Sequence, residues 1–214
     1  GQLRKLFPAD FSGTALVVGL GNYDITADSI GPKAVEKVVV TRHLRTLNPQ
    51  LYESAGFGDL CAFAPGVLGQ TGMESAEIVR SIVEAVRPSL IVALASRRLA
   101  RLATTVQLCD TGIYPGAGVS NRRSELSAET LGVPVISIGV PTVVDAATLA
   151  YDLLGENADE KTAAALLAGD GKDMFITLKE SDVITKQTAR LLGFAINRAF
   201  HGELSVEEME ELLA

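Results

Sequence analysis

Apolar residues in this chain fall into short uninterrupted runs, separated by longer stretches in which apolar and polar positions alternate with helical spacing. Thr14-Ala-Leu-Val-Val-Gly19 is such a run, stopped by glycine, as a strand buried on both faces should be. Leu90 to Leu94 predicts a second strand, Val106 to Cys109 a third and Val133 to Ile138 a fourth, with Met174 to Thr177 as a last edge strand. A helical pattern covers about Ser29 to Leu47, with Pro32 accommodated in its first turn. Ile78, Ile82, Val83 and Val86 recur at helical spacing after a Thr71-x-x-Glu74 capping-box pattern, and Pro88 stops that helix. Ala95 to Leu102 reads as further helical turns, and another helix begins near Val143. Residues 155–171 read as a short helical excursion. Two helices close the chain, Glu180 to Phe200 and Ser205 to Leu213, the second opened by Ser205-x-x-Glu208.

Strands alternating with helices imply right-handed crossovers. The expected fold is α/β, a three-layer α/β/α arrangement with a mostly parallel central sheet, formed by residues 1–214 as a single domain. Ligands in such sheets bind beyond the carboxyl ends of the strands. Chemistry is therefore expected in the loops after Val18, Ala93, Leu108 and Ile138.

Composition narrows the function classes. The 214 residues are 47% hydrophobic and 21% charged, which excludes a disordered chain, and the formal charge of −7 argues against a nucleic-acid binder held by phosphate contacts. No apolar segment has the length of a signal-peptide core or of a membrane span. The expected compartment is cytoplasmic unless a targeting segment has been removed, and a chain opening with Gly1 looks processed or engineered. Cys61 and Cys109 are too few for a disulfide framework and sit in apolar runs, where buried structural thiols are common. His43 reads as a cation late in the first helix, and His201 lies far from it in sequence. With no ligand-spaced triad, no metal or other cofactor is expected. Arg97, Arg98 and Arg101, like Arg122 and Arg123, read as solvated charges.

The loop Gly19-Leu-Gly-Asn-Tyr-Asp-Ile-Thr-Ala-Asp28 opens like a dinucleotide fingerprint but carries Asp24 where the third glycine belongs, and a carboxylate there repels a pyrophosphate. Its two acids, Asp24 and Asp28, stand where chemistry is expected, although Asp28 is equally suited to cap the helix that follows. Asp110-Thr-Gly112 copies the signature of pepsin-like proteases, which are all-β and pair two such loops. In an α/β chain the match is read as coincidence, with Asp110 still able to line the cleft. Asp145 in Gly139-Val-Pro-Thr-Val-Val-Asp145 also falls near a strand end, and also suits the first turn of a helix. There is no Gly-x-Ser-x-Gly elbow.

The segments GLGNYDITADSIGPKAVEKVVVTRHL, PGVLGQTGMESAEIV, TTVQLCDTGIYPGAGVSNRRSELSAETLGVPVISIGVPTVVDA and FITLKESDV resemble the germination proteases of bacterial spores, from about Leu16 to His201. The resemblance implies an atypical aspartic-type endopeptidase with a fold similar to that of hydrogenase-maturation endopeptidases. It also implies synthesis as a zymogen, a homotetramer, a place in the spore core, and small acid-soluble spore proteins as substrate. Two aspartates are thought to carry the family's chemistry. One maps onto Asp28 in Thr26-Ala-Asp28-Ser-Ile-Gly-Pro32. The other follows the second buried strand in a pattern like Ile-Asp-Ala-Leu-Ala, whereas this chain reads Leu90-Ile-Val-Ala-Leu-Ala-Ser-Arg97. Aligned on its flanks, the chain is about three residues short between Ala93 and Leu94, and the missing piece is Ile-Asp-Ala. The family's N-terminal region is absent, and its insertion after the Asp145 helix is reduced to about residues 155–171.

A paired-acid mechanism needs one carboxylate to activate water and a second group to protonate the leaving amine. Asp28 alone, titrating as a solvated acid, supplies only the base. Either Asp24, Asp110 or Asp145 substitutes, or the chain is catalytically impaired, or residues are missing from the sequence. The expected catalytic set is Asp28, Asp110 and Asp145. Two rival readings stand beside it. One is an inactive homologue that binds or assembles. The other is a hydrogenase-maturation-type endopeptidase, which would need a second acid and a later histidine around a metal.

Overall fold

The computed structural model describes residues 1–98, 105–115, 124–154, 174–202 and 204–214, with positions 159, 161, 165 and 168. The helical excursion read at 155–171 therefore lies almost wholly outside the described residues, as do Arg101, Arg122 and Arg123.

Six strands form one sheet: β1 (Ala15–Gly19), β2 (Leu60–Phe63), β3 (Leu90–Arg98), β4 (Gln107–Cys109), β5 (Val135–Asp145) and β6 (Phe175–Thr177). The order is β2-β1-β3-β5-β4, with β6 also paired to β5. The pairs β1–β2, β1–β3 and β3–β5 are parallel, and β4 and β6 run antiparallel to β5. All five residues of β1 are buried, as its continuous apolar run requires. Alternate side chains feed two cores. Ala15, Val17, Val92, Leu94 and Ile138 meet helices α1 (Ile30–Val35) and α8 (Ser181–Phe200) on one face. Leu16, Val18, Ile91 and Ala93 meet α5 (Ser75–Val86) on the other. Those are the three expected layers.

The short helices are α2 (Leu44–Leu47), α3 (Pro49–Ser54), α4 (Leu68–Thr71) and α6 (Ala128–Leu131), and α7 (Ala146–Leu154) follows β5 directly. The closing helix α9 (Val206–Leu212) has the expected box: Glu208 N–H donates to Ser205 Oγ at 3.1 Å, and Ser205 N–H to Glu208 Oε2 at 2.7 Å.

Several expectations are corrected. The helix expected over Ser29–Leu47 stops at Val35. The β-branched run Val38-Val-Val-Thr41 then continues without helix, its backbone held by Asn197, which accepts from Val39 N–H and donates to the Lys37 carbonyl, both at 2.8 Å. His43 consequently precedes α2 instead of ending a long helix. The capping box of α5 is Glu74 with Glu77, one turn later than expected, while Thr71 closes α4. Leu60–Phe63, read only as an apolar run, is an edge strand.

Ala95 to Arg98 is not helix but an extension of β3, which finds a long partner in β5. The Val106 run is antiparallel. The eight residues 99–106 are too few for the crossover that a parallel return demands.

Candidate active site

The loop leaving β1 is built around close backbone approaches. Leu20 N–H bonds the Leu94 carbonyl at 2.8 Å, extending the β1–β3 ladder past Gly19. Gly31, in the first turn of α1, lies so near that a Cβ there would sit 2.3 Å from the Leu20 oxygen and 2.7 Å from that of Leu94. Gly21 has φ +128°, and a Cβ there would stand 2.0 Å from the Asp28 carbonyl oxygen. The glycines of this segment thus serve to fold the loop back onto its own end, not to approach a pyrophosphate.

Asp28 ends a 3₁₀ turn, Thr26–Asp28, and is half-buried. Its Oδ2 accepts the Asn22 N–H at 2.7 Å, so the carboxylate reaches back across the loop and is fixed by it. Asn22 in turn accepts the Asp24 N–H at 3.0 Å, with Gln70 Nε2 at 3.0 Å on the same oxygen. Asp24 is exposed and receives Gln70 Nε2 at 3.2 Å, which places it toward α4. From the other side Thr142 Oγ1 donates to the Ala27 carbonyl at 2.6 Å, and Thr185 Oγ1 of α8 to the Thr26 carbonyl at 3.4 Å. Thr142 is available because the β3–β5 register shifts between Arg97 and Arg98, leaving it as the extra residue of a bulge. β5 and α8 together hold the turn that carries Asp28.

The structure treats the other expected acids differently. Cys109 pairs with Ser137 near the start of β5, so Asp110 leaves β4 heading toward the amino edge of the sheet. Three strand spacings separate β4 from β1, about 14 Å. The expectation that Asp110 lines the cleft fails for the same reason that β4 is antiparallel. Asp145 is the last residue of β5, three positions beyond Thr142, about 10 Å along the strand. Neither backbone position adjoins the Asp28 turn. The junction Ala93–Leu94 does: Val18 pairs with Ala93 and Gly19 with Leu94, at the level where β1 ends and the Asp28 loop begins.

Two residues of this region were not singled out from sequence. One is Thr142. The other is Ser96, two positions beyond Leu94 on the same face of β3, where its Oγ is buried without a hydrogen-bond partner. The helix expected at Ala95 hid Ser96, and no local signal marks the bulge at Thr142.

The thiols are not buried as expected, since both are only partly covered. Burial pushes the Cys61 thiol up to about 11, leaving it inert. Cys109 Sγ lies 2.9 Å from the Thr111 hydroxyl, whose hydrogen bond holds that thiol below its ordinary range. Among the described residues no group of three or more His, Cys, Asp or Glu side chains could hold a metal ion. No described helix is long and apolar enough to cross a membrane.

A solved structure, the NiFe hydrogenase maturation protease HycI from Thermococcus kodakarensis, superposes with a TM-score of 0.52 over 93% of this chain and 98% of its own, at 16% identity, and shares the fold. Germination proteases from Clostridium perfringens and Clostridium acetobutylicum are 42% and 44% identical over 99% and 94% of this chain, covering 73% and 70% of their own lengths. The Bacillus subtilis germination protease is 51% identical over 65% of this chain and 38% of its own. Residues 9–155 match the family model described as germination protease. A match that spans β1, the Asp28 turn and all of β5, with relatives aligned along nearly the whole sequence, leads to one assignment: this chain belongs to the germination protease family.

Proposed function

We propose that this chain is an aspartic-type endopeptidase acting on small acid-soluble spore proteins in the germinating spore, with Asp28 as its base and with cleavage weakened by the absence of a second acid. The observation that carries the reading is the Asp28 carboxylate, held by the Asn22 N–H at the carboxyl edge of the sheet. An ionised carboxylate only accepts hydrogen bonds, and a backbone N–H is the donor that keeps it oriented. A carboxylate oriented in this way is of the chemical type that takes a proton from a water attacking a peptide carbonyl. The leaving amine must then be protonated by another group. Asp110 and Asp145, the sequence-based candidates for that role, are displaced from Asp28 by strand order and by distance along β5. Ser96 stands near the expected position, but a serine hydroxyl is far too weak an acid for the task.

The missing acid also favours a second reading, an inactive homologue that binds spore proteins without cutting them. Incubation with a purified small acid-soluble spore protein separates the two. Slow cleavage into discrete fragments, abolished by Asp28→Asn, supports the endopeptidase. Retention of intact protein in a stable complex supports the binder. The zymogen processing and tetrameric assembly implied by family resemblance belong to the same proposal, and sedimentation of the chain tests the second of them.

A further inference from the structure

A cavity of about 590 Å³ opens at the amino edge of the sheet, the edge opposite Asp28, where the chain enters β1 and β2. Its polar side is Asp59, only 4% exposed, whose Oδ2 accepts Thr14 Oγ1 at 2.8 Å and the Arg45 guanidinium, while its Oδ1 is buried without a partner. Its apolar side is a cluster of three rings. Phe7 stacks on Phe200 at 4.8 Å between centroids, and Phe11 meets Phe7 edge-on at 5.3 Å. Arg4 also lines the cavity. Its Nε donates to the Ala199 carbonyl at 2.7 Å, and no carboxylate pairs with it among the described residues.

The charged residues that line this cavity are two arginines against one aspartate, in a chain whose net charge is −7. Arg45 pairs with Asp59 through Oδ2, and Arg4 has no carboxylate partner among the described residues. Arg45, 56% exposed, retains further donors. A second cavity of about 390 Å³ is lined by Arg42 and His43 and shares Arg45 with the first. A guanidinium beside a ring cluster, in a cavity of small-molecule size, matches one ligand chemistry: an anion carried on a ring-sized apolar group.

We propose that this cavity is a binding site for such a ligand, with Arg4 and Arg45 taking the anion and Phe7, Phe11 and Phe200 taking the apolar body. A peptide C-terminus ending in phenylalanine and an aryl phosphate both present this chemistry. The site stands independently of the peptidase reading, because none of its residues belongs to the Asp28 loop.

Calorimetric titration of the intact chain tests it with N-acetylphenylalanine, phenyl phosphate, N-acetylphenylalaninamide and acetate. At least one of the two aryl anions should bind saturably, about tenfold tighter than the uncharged amide or the ringless acetate. Whichever anion is tighter identifies the source. Arg4→Gln should weaken it about tenfold and Arg4→Lys less, since a lysine keeps the charge but not the fork. Phe11→Leu, a mild change in a half-buried ring, should weaken it with Arg4 intact, and Asp28→Asn should leave it unchanged. Equal binding of acid and amide, absence of binding, or indifference to both Arg4→Gln and Phe11→Leu would each overturn the proposal.

Discussion

His201 illustrates how a single side chain ties the fold to solution conditions. It is buried, its Nε2 lies 2.8 Å from the Val39 carbonyl, and its Nδ1 is enclosed without a partner. The Nε2–H therefore donates to Val39. Burial pushes the imidazole below its ordinary value of 6.5, and the Val39 bond opposes this only in part. Below about pH 6.5 the unfolded chain takes up a proton that the folded chain refuses, so stability falls as pH drops toward the depressed folded value. His201→Gln can keep a donor to Val39 without titrating. Its urea midpoint should change less between pH 7.5 and 5.5 than that of the parent, and parallel pH profiles would refute this role. At the same scale, Gly21→Ala places a side chain where φ is +128° and the Asp28 oxygen is 2.0 Å from the new Cβ. A loss of about 1–3 kcal/mol is expected from chemical denaturation, and unchanged stability would show that the loop relaxes freely.

At the scale of elements, two polar devices replace what a longer helix or strand would have supplied. Asn197 of α8 is fully buried and serves both Lys37 and Val39. Asn197→Leu should cost about 2–5 kcal/mol, because two backbone groups lose their partners at once. A denaturation midpoint within error of the parent would contradict that. Thr142 holds the 3₁₀ turn through Ala27. Thr142→Val should speed amide exchange at Asn22, whose N–H bonds Asp28, while Thr142→Ser should preserve its protection.

The sequence made the first strand, the Asp28 loop and the α9 cap legible, because each depends on neighbours within a few residues: a glycine stop, a repeated backbone approach, a Ser-x-x-Glu box. It concealed what depends on distant partners. Val38–Thr41 carries a helical apolar spacing yet leaves the helix under the grip of Asn197, more than 150 positions away. Ala95–Arg98 becomes strand because β5 is there to pair with it. Asp110 moved out of the candidate site for a similar reason, since the direction of β4 depends on connection length and not on its own residues.

At the scale of the whole molecule, the two proposed sites stand at opposite edges of one mostly parallel sheet. The carboxyl edge holds Asp28, pinned by its own loop and braced by β5 and α8. The amino edge gathers arginines and rings around Asp59, in a chain whose net charge is −7. The proposed peptidase site lies at the first edge, and the junction Ala93–Leu94, where family resemblance implies a second acid, lies beside the end of β1. The most direct measurement is cleavage of a small acid-soluble spore protein by three chains: the parent, the parent with Ile-Asp-Ala inserted between Ala93 and Leu94, and the inserted chain carrying Asp28→Asn. The expected result is weak cleavage by the first, a rate at least about a hundredfold higher for the second, consistent with the usual contribution of a general acid, and loss of that gain in the third. Robust cleavage by the parent, with cleavage by the third chain as fast as by the second, would place the active site elsewhere.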